Sequence, residues 1–374
     1  MSIFDRRPQL RWAVPVAAGA LIIAGTLAGT VAASADSGLP PRTAQELLVA
    51  LQAPQATGVS GTVLTTADLG LPELPAMGHG SKTDPTALIS GSHTLRVWFD
   101  GRERTRVAMI GSAQEYDVVR DASDVWTWSS SGAAADHYVL PKHDPQSATD
   151  PAASVIDLPS TPQEAAALAL KQLDGTTEVT TSGVSKVAGR PVYELILTPK
   201  PSGTLVAKVV VAMDAETNVP LRVQVFSTQL QDPAYEVGFT SVDFSRPDPS
   251  VFAFTPPPGA TVTEHAAPAE PAVSSEPMVA PEGMGQPTVI GTGWSQVVIA
   301  TLPADMVSGL ADGSQDGSAA QAMTLLQSLP ASSGAWGTGR ILNGTLFSAI
   351  LTDDGRVAIG AVAPEALGAA LAAQ

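Results

Sequence analysis

Val206-Ala-Lys-Val-Val-Val-Ala-Met-Asp-Ala-Glu-Thr-Asn-Val-Pro-Leu-Arg-Val-Gln-Val-Phe226 consists of two strand-length apolar runs joined by the polar cluster Asp214-Ala-Glu-Thr-Asn218. In the first run Val209, Val211 and Met213 share one face, and Val206, Lys208 and Val210 the other. In the second, Leu221, Val223 and Val225 alternate with Arg222 and Gln224. β-Branched residues at period two on either side of a turn-forming cluster predict an antiparallel hairpin.

Upstream, Val59–Thr66, Thr94–Phe99, Thr105–Ile110, Glu115–Arg120 and Asp124–Ser129 read as further strands, and Asp100-Gly101 is a strong hairpin turn signal. Tyr138–Pro141 is expected to add a strand. Val179–Thr181, Val184–Val187 and Val192–Thr198 lead into the hairpin, and Tyr235–Phe244 follows it. Two capping boxes, Thr43-Ala-Gln-Glu46 and Thr161-Pro-Gln-Glu164, each predict a short helix. The first places Leu47, Leu48 and Leu51 on one face. The second is Ala- and Leu-rich on all sides, as in a buried helix. Gly70–Gly91 reads as a long loop.

The hairpin pattern is apolar strand, Asp214, Thr217, then Pro220-Leu221-Arg222-Val223. Together with Phe252-Ala-Phe-Thr-Pro-Pro-Pro-Gly259, it resembles LolA/LolB-like and RseB/MucB-like bacterial envelope proteins. Leu69-Gly70-Leu71-Pro72 is similar to the long actinobacterial members of that superfamily. The resemblance covers about residues 41–262 and implies an α+β fold: an open, curved antiparallel sheet, or half-barrel, whose concave face is covered by helices. It also implies an apolar cavity between sheet and helices. Leu95, Val97, Phe99, Met109, Trp126, Trp128, Tyr193, Val209 and Val211 are the expected lining for acyl chains, and Arg96 and Arg106 the expected head-group contacts. Alternation sets Trp126 and Trp128 on one face and Val125 and Thr127 on the other; the residues alone leave open whether the aromatic pair is cavity wall or packed core.

The chain has 374 residues and a formal charge of −16, and three Arg and one Asp within residues 1–35 leave −18 to the rest. An acidic body repels nucleic acid and anionic membrane surfaces, so no nucleic-acid partner is expected. There is no cysteine, which excludes disulfides, thiolate metal sites, Cys nucleophiles and a lipid-modified N-terminal Cys. Arg6, Arg7 and Arg11 precede an uncharged run from Ala13 to Ala32, long enough to span a bilayer. Ala33-Ser34-Ala35 fits a cleavage site, so a cleaved signal peptide and a retained anchor both fit. In either case the positive flank puts the body outside the cytoplasm.

Thr263–Pro287 is rich in Pro, Ala and Glu and reads as a linker. The strands expected beyond it are Trp294–Leu302, Gly339–Leu342, Thr345–Thr352 and Val357–Val362, with helices over Ala319–Leu329 and Pro364–Ala373. The expected organisation is a signal segment over 1–35, a LolA/RseB-like domain over 36–262, a linker over 263–288 and a small α+β domain over 289–374.

No Gly-x-Ser-x-Gly, Ser-x-x-Lys or phosphate-loop motif occurs. His79, His93, His137, His143 and His265 lack metal-ligand spacing, and His79 and His265 are expected in loops. Asp312–Gly317 lacks the ligand count of a calcium loop. No cofactor and no enzyme activity are therefore expected. The resemblance implies an extracytoplasmic carrier of lipid or lipoprotein acyl chains. The alternative is an envelope regulator that binds a membrane-anchored protein partner, as RseB-like proteins bind an anti-sigma factor.

Overall fold

The computed structural model describes residues 39–51, 56–71, 88–101, 103–111, 114–140, 161–171, 175–265, 287–302 and 328–374. The first element is helix α1 (Ala44–Leu51), followed by β1 (Gly58–Ala67), β2 (Gly91–Asp100), β3 (Arg104–Ile110), β4 (Glu115–Asp121), β5 (Asp124–Ser129) and β6 (Ala134–Val139). Next come helix α2 (Pro162–Lys171), β7 (Thr177–Val187), β8 (Arg190–Pro199), β9 (Val206–Asp214), β10 (Pro220–Ser227), β11 (Pro233–Asp243) and β12 (Thr261–His265). The last elements are β13 (Thr288–Ile290), β14 (Val297–Thr301), β15 (Ala331–Gly334), β16 (Gly337–Asn343), β17 (Ser348–Thr352), β18 (Arg356–Gly360) and helix α3 (Pro364–Ala372).

The first twelve strands form one open sheet in the order β12-β6-β5-β4-β3-β2-β1-β11-β10-β9-β8-β7. Its pairings are antiparallel except for β12, which runs parallel to β6. The expected α+β class and open sheet are present, and the central hairpin is β9–β10, with Val211 opposite Val223 and Val209 opposite Val225. Both capping-box helices form: Thr43 N–H and Oγ1 donate to the Glu46 carboxylate, and Thr43 Oγ1 accepts from the Glu46 N–H. Helix α1 lies on β7 and β8, and α2 lies on β10 and β11.

Bulges bend the sheet. One interrupts β1 against β11 at Thr62/Val63, beside Gly61, and another separates Ser182 from Ser185 in β7. That second irregularity falls where the sequence predicts a break between two short strands; the backbone carries through it as one strand. β6 begins at Ala134, four residues before the expected Tyr138, because Trp128 and Ser129 of β5 pair with Ala135 and Ala134.

After β11 the chain crosses the outer face of the sheet as a strap. A short 3-10 turn, Pro249–Phe252, is capped by the Asp248 carboxylate accepting from Ser250 N–H, and Phe252 is buried against β3 and β4. Arg246 Nε reaches Asp100 Oδ1 at 2.8 Å. The strap ends in β12, so Thr263–His265, expected to open a linker, belongs to the sheet. Backbone pairing with β6 outweighs the polar, Pro-rich composition that follows. His265, expected in a loop, therefore sits on a strand.

A second sheet has the order β13-β14-β18-β17-β16-β15, and α3 packs on its β14, β16, β17 and β18. Strands β13 and β15 have no counterpart in the sequence reading. Trp294 lies in a 3-10 turn and not in a strand, and Ser348 is the first residue of β17, in place of the expected Thr345. The second sheet is docked on the first. Thr204 bridges Val362, and Leu205 N–H and Thr204 Oγ1 both donate to the Ala361 carbonyl at 2.8 Å. Thr345 donates through N to Leu69 O and through Oγ1 to Asp68 O, and its own carbonyl accepts from Ser227 Oγ. Trp294 joins the core of the first sheet and donates Nε1–H to Thr177 Oγ1 at 2.8 Å.

The N-terminal segment 1–35, the helix expected over Ala319–Leu329 save its last two residues, most of the 70–91 loop, and Asp312–Gly317 lie outside the described residues. Among the described residues no helix is long and apolar enough to cross a membrane.

Candidate binding surfaces

The register sorts the expected lining residues onto two faces. Leu95 pairs with Met109 and with Val63, Val97 with Val107, Leu195 with Val211, and Leu197 with Val209. Leu95, Val97, Met109, Tyr193, Val209 and Val211 join one apolar cluster on the concave side with Leu47 and Leu51 of α1 and Ala165, Ala166 and Ala169 of α2, and Phe99 packs against it. Six of the nine expected residues thus meet in one core, and Phe99 borders it.

These side chains are buried: Leu95, Val97 and Val211 are 0 % exposed, Met109 2 %, Val209 3 % and Tyr193 6 %. Leu95, Val97 and Val211, which no water-sized sphere touches, border no void able to take a methylene chain. Tyr193 is further held by its hydroxyl, which donates to Pro40 O at 2.8 Å.

Trp126 and Trp128 stand on the opposite, convex face and cannot share a cavity with Leu95 and Val97. Period-two alternation sets the reason: Trp126 pairs with Val119 and His137, in the row of Trp98 and Arg106, while Val97 pairs with Val107. Both tryptophans pack on Phe254 of the strap, with ring centroids at 5.4 and 6.4 Å. The aromatic pair is therefore roofed by the Phe252-x-Phe254 element that carried part of the family resemblance.

Arg106 is also committed to the fold. Its Nη2 donates to Asp117 at 2.5 Å, its Nη1 donates to Val251 O, and it lies over the Trp98 ring. Burial pushes the Asp117 carboxyl up to about 6; Arg106 opposes that shift and the neighbouring Glu115 adds to it. Arg106 Nε and Asp117 Oδ1 are buried without hydrogen-bond partners among the described residues. Arg96 faces the same side, exposed, between Thr62 and Ala108. It can meet an anion; Arg106 cannot without breaking a buried pair.

The second sheet has one face under α3, where Val297, Ile299, Ile350, Ala358, Leu367 and Leu371 form a separate core with Trp336. The other face carries a continuous apolar row. Val289 pairs with Val298, Val298 with Ile359, Ile359 with Ala349, and Ala349 with Leu342. Val289 is 50 % exposed and Ile359 44 %, and the three between and beside them are half-buried. Ala300, Val357 and Leu351 form a parallel row. Sequence reasoning misses this face because apolar residues on both sides of these strands hide which side is open.

A shallow surface cleft of about 640 Å³ lies beside α1, lined by Arg42, Thr43, Gln45, Glu46, Val49, Ala50 and Asn218. Arg42 there is tied to Asn218 Oδ1 at 2.9 Å and lies over the Tyr193 ring. Among the described residues no group of His, Asp or Glu is placed to hold a metal ion.

No family model matches the chain. No curated protein matches it either. Solved structures do. The MucA/MucB complex of Pseudomonas aeruginosa is 15 % identical, covers 88 % of this chain and 96 % of that chain, and gives a TM-score of 0.43. An uncharacterised conserved protein from Thermus thermophilus is 12 % identical over 59 % of this chain and 99 % of that one, with a TM-score of 0.34. A LolA superfamily protein from Nitrosomonas europaea is 12 % identical over 57 % and 99 %, with a TM-score of 0.22. The chain is thus similar to MucB and LolA-superfamily structures, the two groups its hairpin and Phe252-x-Phe254 stretch resemble.

Proposed function

We propose that this chain is an extracytoplasmic, non-enzymatic binding protein whose ligand is a membrane-anchored protein partner, taken on the open face of the second sheet. The observation that carries this reading is the contrast between two apolar surfaces. The side chains expected to line an acyl-chain cavity are buried in a packed cluster, while the Val289–Val298–Ile359–Ala349–Leu342 row is exposed or half-buried. Exposed apolar rows rimmed by polar residues suit protein contacts. The basic flank before Ala13–Ala32 supports the extracytoplasmic placement.

Acyl-chain binding is the second reading. It is favoured by the continuous apolar concave face, roofed by helices of only eight and ten residues. Such short helices gain little stability of their own and depend on packing, so they are the elements that would have to lift.

A photocrosslinker at Ile359, with Leu64 of the first sheet as an exposed control, tests the first reading in native membranes. A protein adduct from position 359 that is absent from position 64 is expected. Fluorescent fatty-acid displacement with wild type and Val97→Glu, followed by circular dichroism, tests the second. Saturable binding that Val97→Glu removes while the fold survives, with no adduct at position 359, would return the protein to the carrier class.

A further inference from the structure

Among the described strands of the first sheet β12 is the one that pairs in parallel; it is five residues long and at the edge, with Thr261 to Glu264 exposed. Short exposed edge strands are weakly held by their ladder alone. Here β6 and β12 clasp each other through side chains on both faces. On the convex face, His137 of β6 bonds Glu264 of β12 through Nδ1 at 2.7 Å and Asp124 of β5 through Nε2 at 3.1 Å, and its ring stacks on Trp126 at 4.0 Å. On the concave face, His265 of β12 bonds Asp136 of β6 through Nε2 at 2.8 Å and stacks on Tyr138 at 4.2 Å. Asp136 also accepts from Thr127 Oγ1 of β5.

The two histidines differ in what they require. An ionised carboxylate only accepts, so each ring nitrogen facing one must carry a proton. His265 meets one carboxylate and satisfies it as a neutral tautomer with Nε2–H. His137 meets a carboxylate at each nitrogen, and both bonds exist together only in the imidazolium form. Loss of one proton leaves a nitrogen lone pair facing Asp124 or Glu264, so a bond becomes a repulsion. The groups facing His137 are Asp124 and Trp126 from β5 and Glu264 from β12, two acids and an aromatic ring.

We infer that β12 is a proton-dependent latch on the edge of the first sheet, fastened when His137 carries two protons and loosened when it gives one up. Release uncovers the β6 edge, where the strap that roofs Trp126 and Trp128 ends. This rests on neither reading under Proposed function, since no ligand enters it.

Amide hydrogen exchange of the full chain, read at about pH 5 and about pH 8 and corrected for the chemical rate, tests this. Protection across Ala134–Val139 should fall about two- to fivefold at the higher pH, the effect of losing one solvent-exposed charged hydrogen bond. Protection in β9 and β10 should not change in an Asp117→Asn background, which removes the titration of that buried carboxyl from the same pH window. Asp124→Asn lets a neutral His137 accept from the new amide while donating to Glu264, so it should flatten the pH dependence and keep the strand closed. His137→Gln, which cannot bridge the two carboxylates through opposed nitrogens, should exchange quickly at both pH values. Equal protection of β6 at both pH values in the wild type would overturn the latch. So would an equal loss in β9 and β10 in the Asp117→Asn background, or a pH dependence that both His137→Gln and Asp124→Asn retain in full.

Discussion

Asp214 is the residue on which the central hairpin turns. Its side chain is fully buried; it takes Arg190 through Nε at 2.5 Å and Nη2 at 3.1 Å, and it accepts from the N–H groups of Glu216 and Thr217 and from Thr217 Oγ1. This explains why Asp and Thr stand three apart in the turn: the carboxylate and the hydroxyl close it. Asn218 follows at φ +58°, a left-handed position that Asn tolerates. Asp214→Ala leaves Arg190 without its buried partner beside Phe244 and should cost about 3 kcal/mol, read from denaturant midpoints. Burial alone would raise the Asp214 carboxyl, but hydrogen bonds from Arg190 and Thr217 outweigh it and hold the group below its ordinary value. Its folded value lies under its unfolded one, so its contribution is present at neutral pH and lost as pH falls through the lowered folded value. Asp117 has the opposite sign. Its folded value is raised to about 6, so the native state binds the extra proton and stability falls as pH rises from the ordinary carboxylate range through about 6. Asp117→Asn should flatten that part of the pH–stability curve, and an unchanged curve would assign the slope elsewhere.

At the scale of elements, the sheet's curvature and its strap depend on two side-chain choices. Gly61 lies under the Phe239 ring beside the β1 bulge, where an added Cβ would sit 2.1 Å from Ser241 O and 3.0 Å from the ring. The close approach of β11 at this bend is possible because nothing is there. Gly61→Ala should destabilise by about 1–3 kcal/mol as an overpacked site, measured by thermal unfolding. The strap is held by Phe252, which is buried under the Asp248-capped turn. Phe252→Ala should cost about 3–5 kcal/mol and raise the accessibility of Trp126 and Trp128 to an aqueous quencher. Loss of stability without that change in quenching would mean that Phe254 holds the roof without Phe252.

At the scale of the molecule, the second sheet is built into the first. The Ala361, Thr345 and Trp294 contacts tie it to β9, β10, the end of β1 and β7, and Leu346 and Phe347 pack against the first core. A specific protease site inserted at residue 275 should therefore yield two pieces that co-elute on size exclusion and separate in denaturant. Separation in native buffer would show that the covalent connection, and not the docking, keeps the sheets together. The same construction keeps the Val289–Ile359 face in a set orientation to the first sheet.

The strands of the first sheet other than β12 and the two capped helices were legible in the sequence because each rests on local chemistry: period-two alternation, the Asp100-Gly101 and Asp214–Asn218 turns, and Thr-x-x-Glu capping. Sequence by itself also determined the absence of cysteine chemistry and the acidic charge. What tertiary structure decided is which face each strand turns inward, since a one-residue slip exchanges the two. That choice put Val97 in a filled core and Trp126 under the strap, and it made Arg106 the partner of Asp117, eleven residues away. It likewise brought Glu264 to His137 across 127 positions, and Ala361 to Leu205. Such pairs have no local signal, because contacts between distant parts of the chain depend on strand order and register, which alternation along a single strand does not specify.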